Sequence, residues 1–128
     1  MTYLIVFLGG GIGAALRHGV NLGFARAFGT AFPYATMFEN VTGSLVMGLV
    51  IGWFAHRSGM GGGLPQHWQL FLTTGVLGGY TTFSAFSLDA AVLYERGAIG
   101  PAALYVLLSV ALSIAGLFAG MAVVRGVA

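Results

Sequence analysis

An apolar segment that runs from about Trp68 to Leu93 carries a helix-breaking stretch at its centre, residues 75–87 with the sequence GVLGGYTTFSAFS. The segment is long for one crossing of a hydrocarbon core of about 30 Å, which takes about 20 helical residues. Glycine pairs followed by threonines and serines interrupt helices, and interrupted backbone persists at membrane depth only where protein or a water-filled cavity satisfies its polar groups. Because exposed half-helix ends handle small ions in membrane proteins, the stretch predicts an ion site inside the bilayer, beside Phe83 and Phe86.

The composition of the chain agrees with a membrane location. Of its 128 residues, 58% are hydrophobic and only 6% are charged, with a mean hydropathy of +0.93, whereas about a quarter of the residues in a soluble domain are charged. We therefore predict an all-α integral membrane protein, with residues 1–128 forming a single domain of four transmembrane helices. The sequence has no cysteine for thiolate metal sites and no basic run for nucleic acid. It also has no nucleophile–base pair, metal cluster or cofactor loop that would indicate an enzyme.

Short loops join the four predicted spans, and two of these spans carry small residues at four-residue spacing. Such spacing predicts faces on which helix backbones approach closely. The spans run from about Thr2 to Phe24, from Tyr34 to Phe54, through the interrupted segment, and from Pro101 to Val124, with a polar loop from His56 to Gln66. The small residues are Gly9 and Gly13 in the first span, and Ser44, Gly48 and Gly52 in the second.

Three polar side chains in the first two spans are candidates for function. Arg17 is either an interfacial anchor or a cation in the vestibule of a pore, because arginine is expensive to bury in lipid. Glu39 is an intramembrane acid that is protonated, paired with Arg17, or placed at the water boundary. Asn40 offers an amide donor, which serves either a bond between helices or a pore.

The fourth span carries one stripe that is polar at one end and small at the other. Tyr105, Ser109 and Ser113 lie at four-residue spacing and therefore share a helix face. A single serine would usually bond to its own backbone, but a track of three hydroxyl groups predicts a pore lining. The three histidines of the chain have no ligand spacing and predict no metal site.

The arginines give no preferred orientation in the membrane. With four spans, Arg57 and Arg125 lie on one side and Arg26 and Arg96 on the other. Arginine asymmetry normally fixes orientation, so the tie predicts that both orientations are inserted and pair as an antiparallel homodimer. Four short helices are also too few to enclose a selective pore alone.

Three segments of the chain resemble the Fluc (CrcB) family of fluoride channels. They are residues 10–17 (GGIGAALR), residues 40–44 (NVTGS) and, most specifically, residues 78–87 (GGYTTFSAFS). The resemblance covers nearly the whole chain, with the motifs in order.

The resemblance implies a dual-topology antiparallel homodimer with two pores and a third helix broken in mid-membrane. It implies that Phe83 and Phe86 present ring edges to fluoride, and that Asn40 and the serine track are polar pore groups. Carbonyl oxygens of Gly78 and Thr81 from both subunits would hold a structural Na⁺ ion. Glu39 departs from the family pattern, in which the residue before the asparagine is usually apolar.

Fluoride suits these residue types. Aromatic ring edges are positive, and the hydroxyl groups of Ser109, Ser113 and Thr82 can donate hydrogen bonds, as can the Asn40 amide. An inside-negative membrane potential expels a monovalent anion without a coupled ion. We therefore expect passive fluoride efflux, and hence fluoride resistance, across a bacterial inner membrane.

Two other functions are compatible with the sequence. A dual-topology proton-coupled multidrug exporter would need a titratable carboxylate in its substrate chamber, and Glu39 is the best candidate. A membrane protein with a purely structural role would carry no ion at all.

Overall fold

The computed structural model describes residues 1–59 and 66–127. Every regular element within these ranges is helical. The elements are α1 (Thr2–Phe28), α2 (Tyr34–Gly59), α3 (Gln66–Leu70), a π-helical segment (Phe71–Leu77), α4 (Gly78–Tyr80), α5 (Phe83–Glu95) and α6 (Ile99–Val127).

Four stretches are long and apolar enough to cross a membrane: Thr2–Phe28, Tyr34–Arg57, Gln66–Glu95 and Ile99–Val127. The prediction of four apolar spans is confirmed, but the helices are longer than expected. The first continues past Phe24 to Phe28 and ends at Gly29, whose φ of 75° is not helical. The second includes His56 and continues to Gly59, so this part of the predicted loop is helical. Residues 60–65 of that loop lie outside the described residues.

The helices form two parallel pairs, and glycines make the closest contacts in both. In the first pair, a Cβ atom on Gly9 would lie 2.9 Å from the Gly75 Cα atom, and one on Gly13 would lie 2.8 Å from the Tyr80 nitrogen. From Gly9 to Gly13 on α1, the contacted residue advances from Gly75 to Tyr80, so the two helices run in the same direction. This close approach confirms the packing face predicted for the first span.

The second parallel pair consists of α2 and α6. A Cβ atom on Gly48 would collide with the Leu117 carbonyl oxygen, and one on Gly52 would lie 3.1 Å from the Val124 Cβ atom. The two pairs run in opposite directions, because ring contacts join Phe24 to Phe38 and Phe28 to Tyr34 in antiparallel order. A small apolar core lies where α5 meets α6: Phe86, Leu93, Ala102 and Tyr105.

Two residues between α4 and α5 leave the helical conformation. Thr81 has φ −84° and ψ 158°, and Thr82 has φ −154° and ψ 124°, so both are extended. We call this pair of residues the bend. The Thr82 side chain caps the N-terminus of α5, because its hydroxyl oxygen accepts a hydrogen bond from the Ala85 N–H at 3.1 Å.

Candidate functional site

A groove of about 340 Å³ brings together residues from α2, the bend, α5 and α6. Six of the seven predicted pore residues line it: Asn40, Thr82, Phe83, Phe86, Ser109 and Ser113. Ser44, Thr81, Val110 and Ile114 complete its wall. The groove therefore presents hydroxyl and amide groups next to aromatic and aliphatic surface.

The side-chain amide of Asn40 pairs with the backbone of the bend. Its Nδ2 group donates to the Thr82 carbonyl oxygen at 3.0 Å, and its Oδ1 atom accepts from the Thr82 N–H at 2.9 Å. Each partner gives one donor and one acceptor, which is the exchange that two backbone peptides make in a sheet. Asn40 therefore provides an acceptor for the Thr82 N–H, which has lost its helical partner, and a donor for the Thr82 carbonyl oxygen at the N-terminus of α5.

The next residues of α2 hold the rest of this region. The hydroxyl groups of Thr42 and Tyr80 share a hydrogen bond of 2.9 Å. Gly43 lies so close to the Thr81 side chain that a Cβ atom there would collide with the Thr81 Cγ2 atom. Residues 40–43 of α2 (NVTG) thus contact residues 80–82 through hydrogen bonds and close packing.

The bend removes the helical donors of the carbonyl groups of residues 78–81, and the hydrogen bonds show where two of these donors, the Thr82 and Ala85 amides, go instead. In a continuous α-helix, the amide of residue i bonds to the carbonyl of residue i−4, so Thr82 would bond to Gly78 and Ala85 to Thr81. Here the Thr82 amide donates to Asn40 and the Ala85 amide donates to the Thr82 hydroxyl. Neither amide therefore serves its usual carbonyl oxygen. Carbonyl oxygens that have lost their helical N–H donors in this way are suitable ligands for a hard cation such as Na⁺.

The two phenylalanines at the groove have different surroundings. Phe86 is 8% exposed and packs against Tyr105 with ring centroids 5.3 Å apart, whereas Phe83 is 77% exposed. Their own ring centroids are 5.5 Å apart and their planes are tilted by 56°. One ring is therefore fixed in the core, and the other projects from the surface of the chain.

The hydroxyl track of α6 divides into two parts. Ser109 is buried, and its Oγ atom has no hydrogen-bond partner among the described residues. With Ser113, it lines the groove. Tyr105 is fully buried outside the groove lining, and its hydroxyl donates to an Asp89 carboxylate oxygen at 3.1 Å. The stripe thus supplies two groove hydroxyls, and the Tyr105 hydroxyl is engaged with α5.

The two charged candidates are both at least half-buried within the chain. Glu39 is fully buried, and neither of its carboxyl oxygens has a hydrogen-bond partner in the described part of the chain. Arg17 is half-buried, and its Nε group donates to the Gly79 carbonyl oxygen at 3.1 Å. Arg17 is thus attached to the backbone next to the bend, a contact that neither the anchor nor the vestibule interpretation included.

Comparison with known proteins identifies the family. Residues 4–121 match the family described as CrcB-like protein, Camphor Resistance (CrcB). The chain is 68% identical over 127 residues to the Fluoride-specific ion channel FluC of Rhodopseudomonas palustris (strain BisB5), with 99% of both chains covered. It is 62% identical over 125 residues to Fluoride-specific ion channel FluC 2 of Nitrobacter hamburgensis, with 98% of both chains covered. The chain belongs to the CrcB family.

Membership of the CrcB family confirms the resemblance inferred from the three sequence motifs. Together with the four apolar helices, it identifies a multi-pass membrane protein, and a family of channels rather than of enzymes. The names of the CrcB relatives do not favour the multidrug exporter interpretation.

The sequence patterns did not specify the contacts of two residues of this CrcB chain, Ser44 and Asp89. Ser44 was placed only on a packing face, but it lines the groove. Its spacing of four residues from Asn40 on one helix could have indicated this position. Asp89 is the acceptor for Tyr105, and no local pattern in the sequence pairs these two side chains.

Proposed function

We propose that this CrcB chain is a fluoride-specific ion channel. The observation that carries the proposal is the groove, in which the Ser109 and Ser113 hydroxyl groups lie beside the rings of Phe83 and Phe86. The names of relatives that share 68% and 62% of its residues support the same function. Among the described residues, those that line the groove carry amide, hydroxyl, aromatic and aliphatic side chains.

The chemistry of the groove suits a small, strongly hydrated anion. Fluoride must exchange its water for groups that bind it without trapping it. Hydroxyl groups of Ser109, Ser113 and Thr82 donate hydrogen bonds, and the positive edges of phenyl rings attract an anion while offering no site for a cation. The buried Ser109 hydroxyl, which has no partner within the described residues, is the donor best prepared to replace water.

We propose that two copies of the chain, inserted in opposite orientations, complete two pores. A single chain leaves Phe83 largely exposed beside the groove, so a second copy is needed to close the wall around an anion. The tied arginine count supports dual topology, since no side of the bundle carries the excess that fixes orientation. In this arrangement the bend lies in mid-membrane, where backbone groups need partners from protein.

A structural Na⁺ ion is proposed where the bends of the two copies meet. The carbonyl oxygens of Gly78 and Thr81 would hold it, because the amides that would bond to them in a helix donate to side chains instead. The cation would supply charge to hold four carbonyl dipoles together and has no part in moving fluoride.

The expected direction of transport is outward. A membrane potential is worth about 2.3 kcal/mol per elementary charge per 100 mV. In a bacterial inner membrane, this potential drives a monovalent anion out of the cell. Fluoride that enters as the neutral acid and ionises in the cytoplasm is therefore expelled passively, which confers fluoride resistance.

Fluoride efflux from liposomes tests this function directly. Purified protein is reconstituted, the vesicles are loaded with potassium fluoride, and release is started with a potassium ionophore and followed with a fluoride electrode. We expect rapid release of fluoride and none of chloride in parallel vesicles. Release of neither ion would reject the channel and favour a structural role.

Two substitutions connect the efflux to the groove. Phe83→Ile and Phe86→Ile remove ring edges while keeping apolar bulk, and we expect both to abolish most of the fluoride flux. Phe7→Ile is the matched control, because Phe7 is an exposed residue of α1 outside this groove. Equal flux in all three variants would mean that the anion takes another route.

A further inference from the structure

The extended bend interrupts the helical hydrogen bonds of the four amides at residues 82–85, and side chains supply acceptors for two of them, the Thr82 and Ala85 amides. The Thr82 amide bonds to Asn40 Oδ1 instead of the Gly78 carbonyl oxygen, and the Ala85 amide bonds to the Thr82 hydroxyl instead of the Thr81 carbonyl oxygen. Asn40 also supplies the donor for the Thr82 carbonyl oxygen. Among the described residues, Asn40 reaches the Thr82 backbone from α2, and Arg17 reaches the neighbouring Gly79 carbonyl oxygen from α1.

We propose that Asn40 is a positioning residue that creates the bend, and that its main role is not to donate a hydrogen bond to the transported anion. Its amide takes the place of a second backbone strand for Thr82, and thereby keeps the Gly78 carbonyl oxygen out of the helical hydrogen-bond network. The resemblance to the channel family assigned Asn40 to the pore lining, and Asn40 does line the groove, but its Oδ1 atom and one N–H bond of its Nδ2 group are engaged with the Thr82 backbone.

The energetic reason is the cost of unpaired peptide groups. Thr82 is half-buried, and an N–H or C=O group that leaves the helix away from water is strongly destabilising unless it is paired. Without Asn40, the region would regain these bonds most simply by continuing the helix from α4 into α5. In a continuous helix, the Phe83 side chain would leave the backbone in a different direction and would no longer line the groove.

The neighbouring contacts of α2 support a positioning role. Thr42 holds Tyr80, and Gly43 makes room for Thr81, so three positions of one helix contact three successive residues at the bend. Both contacts join parts of the chain to each other, and neither Thr42 nor Gly43 lines the groove. Asn40 is thus one of three residues of α2 that contact residues 80–82, and the contacts of the other two are structural.

Hydrogen–deuterium exchange at single residues tests the proposal in the full-length protein. Exchange of the Thr82 amide is measured by NMR in lipid nanodiscs for the wild type, Asn40→Ala and Asn40→Asp. We expect the Thr82 amide to exchange about tenfold or more faster in Asn40→Ala. Asn40→Asp keeps an oxygen for the Thr82 N–H, so its exchange should stay closer to the wild type. The Thr81 amide, which donates to the Leu77 carbonyl oxygen at 3.0 Å, is the internal reference.

Ser44→Ala is the matched control, because Ser44 lines the same groove one helical turn away. It should leave Thr82 exchange unchanged. Equal Thr82 exchange in Asn40→Ala and Ser44→Ala would overturn the proposal. If Asn40→Ala does not fold, the wild type still decides: a Thr82 amide that exchanges far faster than that of Thr81 would equally overturn it.

The positioning role of Asn40 rests on the proposed function in one respect: the bend would shape the ion path of the channel. Exchange is measured without fluoride, so the two can fail separately. A wild-type protein that releases no fluoride from liposomes would reject the channel and leave the Thr82 result standing. A channel that conducts fluoride with an unprotected Thr82 amide would reject only the positioning role.

Discussion

The Nε group of Arg17 donates a hydrogen bond to the carbonyl oxygen of Gly79, at 3.1 Å and across 62 residues of sequence. The same glycine lies so close to α1 that a Cβ atom on it would lie 3.1 Å from the Ala14 nitrogen. Arg17 and Gly79 therefore join α1 to the residues just before the bend by one polar contact and one close backbone contact.

This contact predicts that Arg17 stabilises the protein through geometry as well as charge. A hydrogen bond from a charged donor contributes about 1.5–3 kcal/mol to the free energy of unfolding, and lysine does not reproduce the planar guanidinium donor. We expect Arg17→Lys and Arg17→Gln to lower the thermal unfolding midpoint in detergent by similar amounts. Arg26→Gln, at an exposed position of the same helix, should have little effect. A wild-type midpoint for Arg17→Lys would show that charge alone matters.

Close packing of α1 against residues 71–80 predicts a strong effect of one methyl group. In Gly13→Ala, the added Cβ atom would collide with the Val76 carbonyl oxygen and lie 2.8 Å from the Tyr80 nitrogen. Because both contacts are backbone atoms, the helices must separate, and we expect a loss of about 1–3 kcal/mol in the free energy of unfolding. The measurement is unfolding of the purified protein in mixed micelles.

Gly23→Ala is the control for this substitution. Gly23 lies on the same helix, and no atom comes within 4 Å of a Cβ atom built there. It should be neutral or slightly stabilising, because alanine has the higher helix propensity. A Gly13→Ala protein as stable as Gly23→Ala would contradict the parallel pairing of α1 with the third span.

The buried hydroxyl of Ser109 predicts a loss of fluoride flux on removal. Ser109 lines the groove, and its buried Oγ atom has no hydrogen-bond partner among the described residues, so its donor is not committed to another group there. We expect Ser109→Ala to lower fluoride efflux several-fold, since a hydrogen bond to a charged group is worth about 1.5–3 kcal/mol. Ser87→Ala is the control, because the Ser87 hydroxyl donates to the Phe83 carbonyl oxygen on the exposed side of α5. Unchanged efflux in Ser109→Ala would exclude this hydroxyl from the anion route.

The environment of Glu39 predicts that its charge is dispensable for transport. Glutamine has nearly the size of glutamate, and neither carboxyl oxygen of Glu39 holds a hydrogen bond within the described residues that the change would break. We expect Glu39→Gln to conduct fluoride at about the wild-type rate in the liposome assay. Glu95→Gln, at an exposed position at the end of α5, serves as the matched control. Loss of flux in Glu39→Gln alone would assign the acid a role in conduction.

The sequence predicted much of the architecture because membrane insertion depends on local properties. Uninterrupted apolar length gave the four spans, and four-residue spacing of glycine gave the faces around Gly9, Gly13, Gly48 and Gly52. Helix ends were less predictable. The first and second helices continue beyond Phe24 and Phe54, because apolar length measures the hydrocarbon crossing and not the point at which a helix breaker occurs.

The candidate site was predicted in its members but not in its contacts. The family motif and the serine spacing identified six groove residues. The same spacing also predicted Tyr105 at the groove, whereas its hydroxyl is bonded to Asp89. A step of four residues is longer than one helical turn of 3.6 residues, so side chains at this spacing rotate gradually around the helix. The neighbouring helices then determine which residues each side chain contacts.

By itself, the sequence of this protein determined its family, its four apolar helices and the chemical types of the groove residues, since these depend on composition, length and local spacing. The tertiary structure alone decided that Asn40 bonds to the backbone of Thr82, that Arg17 bonds to Gly79, and that Glu39 is buried with no hydrogen-bond partner among the described residues. Each of these depends on contacts between helices distant in sequence. The orientation of a side chain toward such a neighbour follows from packing and leaves no local pattern in the chain.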